Sequence, residues 1–270
     1  MSTMPTLFIP HGGGPCFFMD WDPPDTWERM AAYLLGVPAD IGHRPEAIVL
    51  ISAHWEEEIV TIQNNPAPAL VFDYYGFPED TYRIEYPAPG SPEHATRISM
   101  LLGQAGIASR FDSERGFDHG VFIPLKIALP RADIPIVQVS LRSDLDPSAH
   151  IELGKALRPL RDEGVLIMGS GMTHHNLQTM MKNMRGSNST TPASERFDEW
   201  LTDVLTRATP ETRERSLAVW DTAPDARRAH PREEHLLPLH VIVGAAGPDK
   251  GHRMLKDSVL GTVQSAFQFG

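Results

Sequence analysis

Four short apolar runs restrict what this chain can become: Thr6–Ile9, Ala47–Ser52, Ile134–Leu141 and Val165–Met168. Each is rich in Val, Ile or Leu and bounded by Pro, Gly or Asp, which reads as a strand rather than a piece of helix. The runs are continuous rather than alternating, so both faces of each strand must meet apolar neighbours, as in a sheet covered on two sides. Helical patterns fall between and after them. Ser91-Pro92-Glu93 predicts a cap and first turn; Ile98, Leu101, Leu102 and Ala105 follow at helical spacing, and Gly106 closes the helix. A second helix is predicted from near Ser148 to Gly164. A third starts at Thr191-Pro192, with Phe197, Trp200, Leu201, Val204 and Leu205 on one stripe. Strand and helix alternate, so the expected fold class is α/β: one catalytic-sized domain over residues 1–270 with a mostly parallel central sheet flanked by helices. The polar stretch Met181 to Pro192, with Gly186, Ser187, Asn188 and Ser189, reads as a surface loop.

Charge and cysteine content exclude several functions. A net charge of −11 argues against non-specific binding to nucleic acid or an anionic membrane, both of which need a basic surface. The single cysteine, Cys16, rules out an internal disulfide and a Cys-rich zinc module, and reads as a small buried hydrophobe. The segment MSTMPTLFIP lacks the basic and apolar regions of a signal peptide. No stretch approaches the roughly 20 apolar residues of a membrane span. A cytoplasmic location is expected, with neither nucleic acid nor membrane as partner; the oligomeric state stays open.

Of the 12 histidines, His43, His94, His150, His230 and His252 lie in polar or helix-surface contexts and are expected to face solvent. The others carry a pattern. Ile9-Pro10 runs into His11, Ile51-Ser52-Ala53 into His54, and Met168-Gly169-Ser170-Gly171 into Met172-Thr173-His174-His175. Ligands of open α/β sheets bind beyond the carboxyl ends of the strands, so several strands deliver imidazole to that edge. His11 opens His11-Gly12-Gly13-Gly14-Pro15, which lacks the lysine and spacing of a phosphate loop. His54 precedes Trp55 and Glu56, compatible with a metal ligand backed by a carboxylate. His119, in Phe117-Asp118-His119-Gly120, suits acid–base work. Of His174 and His175, neighbours on an extended chain, one at most can reach a given site. His235 follows Glu233-Glu234 and opens a segment to Gly247 that is apolar except for His240, a buried element with a third ligand at its entrance. Imidazole suits Zn, Fe, Cu and Ni, so the residues leave the metal open.

Six motifs in order resemble the class III extradiol ring-cleavage dioxygenases, in the branch similar to 4,5-DOPA extradiol dioxygenase. They are Ser52-Ala53-His54-Trp55, Gly76-Phe77-Pro78, the segment Tyr86 to Pro92, Phe117 to Gly120 with Pro124-Leu125, His175-Asn176-Leu177, and Glu234 to Leu239. The first histidine motif departs from the family's His-Gly-Ser-Pro by one extra residue, in a turn that should border the pocket. The resemblance implies His11, His54 and His235 as metal ligands, and His175 as a fourth ligand or an acid/base group. It places His119 over the substrate as a second acid/base group. It further implies Fe(II) for activity, with Zn(II) able to occupy the resting protein. The partners it implies are a small catechol and O₂, and the product a semialdehyde. Two other functions fit the same histidines. One is a zinc hydrolase with Glu56 or Glu234 as base; the other is a non-enzymatic metal-binding scaffold. The segment Phe72 to Pro78 supplies Tyr74, Tyr75 and Phe77 as candidate walls for a planar ring.

Overall fold

The computed structural model describes residues 3–183 and 190–270. The four apolar runs are its central strands: β1 (Thr6–Pro10), β2 (Ala47–Glu57), β5 (Ile136–Arg142) and β6 (Val165–Gly171). They pair in parallel in the order β5-β2-β6-β1, as expected. Four further strands, absent from the sequence reading, extend both edges. On one side lie the short β3 (Val60–Gln63) and β4 (Ser109–Asp112). On the other, the hairpin β7 (Gly251–Val259) and β8 (Thr262–Phe269) joins antiparallel to β1. The whole sheet runs β4-β3-β5-β2-β6-β1-β8-β7.

The helices are α1 (Glu28–Ile41), α2 (Pro92–Gln104), α3 (His119–Ala128), α4 (Pro147–Leu157), α5 (Leu177–Asn183), α6 (Pro192–Thr206), α7 (Pro210–Ala218), α8 (Ala226–Ala229) and α9 (Leu237–Ala246). The expected caps form: Ser91 accepts from the His94 N–H and Thr191 from the Ser194 N–H. The second predicted helix is α4 continued by a 3-10 turn to Glu163, ended by Gly164 in the left-handed region. Of the predicted loop, Met181–Asn183 belong to α5 and Pro192 to α6, while residues 184–189 lie outside the described residues.

Side chains of the central strands alternate between two cores, which explains the continuous apolar runs. Val49 and Ile51 of β2, with Val165 and Ile167 of β6, pack on the face covered by α2, α4, α6 and α9. Ile48, Leu50, Leu166 and Met168 pack on the face covered by α1 and α3. On the first face α4 and α9 meet backbone to backbone. A Cβ at Gly154 would stand 1.9 Å from the Val241 carbonyl oxygen, so only glycine permits the approach. Gly154→Ala is therefore expected to cost about 1–3 kcal/mol of stability, the range for overpacking a filled core. A urea midpoint that falls with an unchanged slope would register it; an unchanged midpoint would show that the helices can part freely.

Two of the histidines expected at the surface are in the core. His150 is fully buried, with Nδ1 on the Asp146 carbonyl at 2.7 Å and Nε2 accepting the Arg142 N–H at 3.1 Å. His230 is also fully buried, its Nε2 on the Thr173 carbonyl at 3.0 Å and its ring against Phe197 and Trp220. Polar sequence neighbours mislead at both positions, because His150 finds backbone partners for both nitrogens inside and His230 for its Nε2. His43 and His252 are exposed and His94 is partly exposed. Cys16 is buried, and burial pushes its thiol pKa up. Among the described residues no helix is long and apolar enough to cross a membrane.

Candidate metal centre

The carboxyl ends of β1, β2 and β6 bring their histidines to one place, with a fourth chain segment completing it. His11 follows β1 directly and its N–H bonds to the Gly171 carbonyl at 3.2 Å. His54 lies within β2 rather than after it, where pairing with β5 shifts register between Ile51 and Glu56. Such an irregularity re-aims a side chain out of the ladder. His235 ends a turn one residue before the cap of α9, and its carbonyl accepts the Met172 N–H at 3.0 Å. That approach needs Gly171: a Cβ there would stand 2.2 Å from the His235 oxygen. Nitrogens of His11, His54 and His235 lie within 4.8 Å of one another. His11 and His235 are almost fully buried.

Hydrogen bonding settles which ring nitrogen is free in His11 and His235. Ser170 Oγ must donate to the Gly120 carbonyl, so it accepts from His11 Nδ1, 3.1 Å away. The proton of His11 is therefore on Nδ1 and its Nε2 carries a lone pair. Glu234 Oε1 accepts from His235 Nδ1 at 2.8 Å, which leaves Nε2 of that ring bare as well. Asp73 Oδ2 faces His54 Nδ1 at 3.7 Å and favours the same tautomer. Burial first, and then the neighbouring imidazoles, push the pKa values of His11, His54 and His235 well below the ordinary histidine value. All three are neutral near pH 7, the form that binds metal.

Nε2 of His54 lies 3.1 Å from Nε2 of His11. With His11 protonated on Nδ1, its bare Nε2 can take a hydrogen bond from His54 Nε2–H or share a cation with a His54 protonated on Nδ1. Two imidazoles bound at about 2.1 Å to one ion stand roughly 3.0–3.4 Å apart, so the spacing fits a shared metal. His11 and His235 are hydrogen-bonded to an acceptor on the far nitrogen, as metal-bound histidines are, and the Asp73 carboxylate stands 3.7 Å from that of His54.

Two more histidines flank this triad. His119 is the first residue of α3; its N–H and Nδ1–H both donate to Asp73 Oδ1, at 3.0 and 2.8 Å. Its ring centroid is 3.9 Å from that of His54. Asp73, His54 and His119 form a second group able to hold an ion. Burial alone would raise the Asp73 pKa; the hydrogen bond and charge of His119, with His54 behind, outweigh it and hold the carboxyl at about 2. His175 stacks on His235, centroids 3.4 Å apart, and its Nδ1 is 3.4 Å from Glu234 Oε1. These three residues form another candidate group, so His175 sides with His235 rather than with His11 and His54. Its neighbour His174 is buried and joins none of the groups, as expected of adjacent residues that point apart. His240 is a core residue with a backbone carbonyl within hydrogen-bond distance of each ring nitrogen, Leu236 at 3.2 Å and Leu217 at 3.0 Å, one of which takes its single N–H.

The carboxylates are placed differently from the sequence reading. Glu56 does not back His54; both its oxygens are taken by Arg232, which also reaches Glu234. Asp73 serves His54 instead. A lone acid between Phe72 and Tyr74 was the available signal for it. Asp118 is fully buried and accepts from Ser52, Arg115 and Gln138, fixing the strand irregularity at His54 against the start of α3. Of the proposed aromatic walls, Tyr74 lies 5.8 Å from His119 between ring centroids, and Phe77 packs on Tyr74 and against Gly14 of the His11 loop. Tyr75 is 89% exposed.

Residues 7–268 match the family model for the catalytic LigB subunit of aromatic ring-opening dioxygenase. The chain belongs to this family. It is a ring-cleavage dioxygenase with an α/β fold. A relative from Beta vulgaris, 4,5-DOPA dioxygenase extradiol, is 38% identical over 96% of this chain and 93% of its own length. The protein of that name from Escherichia coli (strain K12) is 35% identical over 90% and 85%. Dioxygenase tasH of Hapsidospora irregularis is 36% identical over 100% and 86%. Among solved structures, that of an uncharacterized protein from Escherichia coli K12 superposes with a TM-score of 0.79 at 31% identity, over 99% of this chain and 100% of the other.

Proposed function

We propose that this dioxygenase is a cytoplasmic enzyme, one catalytic domain over residues 1–270, that opens a catechol ring outside its two hydroxyls with O₂ and forms a semialdehyde. Fe(II) held by His11, His54 and His235 is the proposed cofactor. The observation that carries the reading is the convergence of His11, His54 and His235, whose ring nitrogens lie within 4.8 Å of one another with the Nε2 atoms of His11 and His54 3.1 Å apart. The chemistry such an ion supplies when bound is one-electron exchange between an aromatic diol and O₂.

The remaining steps belong to the chain. His119 donates its Nδ1–H to Asp73 in a hydrogen bond, so its Nε2 is the basic nitrogen and takes a hydroxyl proton from the arriving catechol. His175, paired with Glu234, holds the proton returned to oxygen as the ring opens. Tyr74 and Phe77 offer faces for the planar ring, and their packing against the His11 loop keeps bulk water from that side. The relatives named 4,5-DOPA dioxygenase extradiol support a substituted catechol as substrate.

All-imidazole ligation prefers Zn(II) to Fe(II), so protein isolated in air is expected to hold zinc and to be idle in that form. One preparation, stripped of metal and divided, tests both points. The Fe(II) half should consume O₂ with a catechol and the Zn(II) half should not. Ester or amide hydrolysis by the Zn(II) half, with the Fe(II) half inert to every catechol tried, would replace this reading by a zinc hydrolase.

A further inference from the structure

We propose that Asp73 is a positioning residue that sets the tautomers of His54 and His119 together, so that the hold on the metal and the orientation of the proton carrier depend on one carboxylate. The inference rests on the ligand assignment proposed above.

Asp73 arrives from a coil that is itself pinned beside the start of α3. The Val71 N–H bonds to the Phe117 carbonyl at 2.8 Å, the Phe117 N–H to the Ala69 carbonyl at 2.8 Å, and the Asp73 N–H to the Val71 carbonyl at 3.0 Å. At the next residue, the Tyr74 hydroxyl donates to the Thr81 carbonyl at 2.6 Å. The carboxylate is thus delivered by backbone pairing to the same segment that carries His119. Its two oxygens then divide. Oδ1 takes both donors of His119, and Oδ2 stands 3.7 Å from His54 Nδ1. A carboxylate can only accept, so its hydrogen bond keeps the His119 proton on Nδ1, and the negative charge of Oδ2 beside His54 Nδ1 favours the same tautomer there. The other two ligand rings have their own acceptors, Ser170 and Glu234. Glu234 likewise lies beside a ligand ring and a flanking ring, but Arg232 reaches it as well. Among the described residues the ionic partners of Asp73 are these two histidines alone. Changing it therefore perturbs two tautomers without breaking a wider ion network.

Asp73→Asn isolates the effect, because the amide has the shape of the carboxylate. Its oxygen can keep the bonds to His119, but its NH₂ then faces His54 Nδ1 and donates. The His54 proton moves to Nε2, the nitrogen needed for the metal. Zn(II) affinity, measured on the full chain by competition with a chelator, should fall about 10- to 100-fold, the range seen when an outer partner of a ligand is lost. The visible absorption of the Co(II)-loaded protein should change with it. His119→Phe should leave both near wild type, since it keeps Asp73 on His54. A folded Asp73→Asn protein that binds Zn(II) as tightly as wild type, with an unchanged Co(II) spectrum, overturns the role whatever its turnover. If that variant does not fold, Asp73→Ala is read in the same assay, where loss of the acceptor should weaken Zn(II) in the same direction and wild-type affinity overturns the role. Failure of the wild-type protein to bind either ion would instead sink the metal assignment itself, so the two failures are separable.

Discussion

Replacing any one of His11, His54 and His235 by Ala is expected to empty the metal site and abolish turnover together. Three neutral imidazoles converge there without a carboxylate ligand, so two remaining nitrogens cannot hold a labile divalent ion through dialysis. The loss in affinity should exceed the roughly 10- to 100-fold that outer partners control. The effect has a matched control in the same chain. His240 is as buried as His11, but its ring faces the backbone carbonyls of Leu236 and Leu217 and belongs to none of the candidate metal groups, so His240→Phe should retain metal if it folds. Metal per chain after dialysis, determined by elemental analysis beside O₂ uptake, distinguishes the cases. Full metal content in two of the three Ala variants would move the site to one of the flanking groups.

That control shows why the site was only partly legible in sequence. Strand ends running into histidine located His11 and His54, because apolar runs of this length can only be covered strands and ligands gather beyond their ends. His235 stood out as a polar entrance to the apolar stretch that became α9. Burial of His150 and His230 was not legible, since their polar neighbours point outward while the rings bond to the carbonyls of Asp146 and Thr173. Nor were the edge strands. β7 mixes exposed and buried residues without strict alternation, and β3 and β4 have four residues each, so their existence depends on a sheet edge already in place. The most consequential error concerned carboxylates. Glu56 lies two residues from His54, but Arg232 takes it, whereas Asp73, distant in sequence, reaches His54 across the fold. Proximity along the chain does not predict which acid backs a histidine; the approach of backbone segments does.

His119→Phe is expected to leave metal content nearly unchanged and to lower turnover on a catechol by about 10²- to 10⁴-fold, the usual worth of a positioned acid–base group. The ring sits 3.9 Å from His54 between centroids, close enough to reach substrate above the metal, yet it is absent from the group formed by His11, His54 and His235. Phenylalanine preserves the planar ring and its contact with Tyr74, so the lost function is the nitrogen rather than the wall. The backbone N–H at position 119 still donates to Asp73, which holds the start of α3 in place. The alternative is concrete, because His54, Asp73 and His119 could themselves hold an ion. Elemental analysis and kinetics on one preparation decide between them. Metal retained with turnover lost makes His119 the proton carrier; metal and turnover lost together make it a ligand, with Asp73 beside it, and shift the centre toward the α3 side of the cluster.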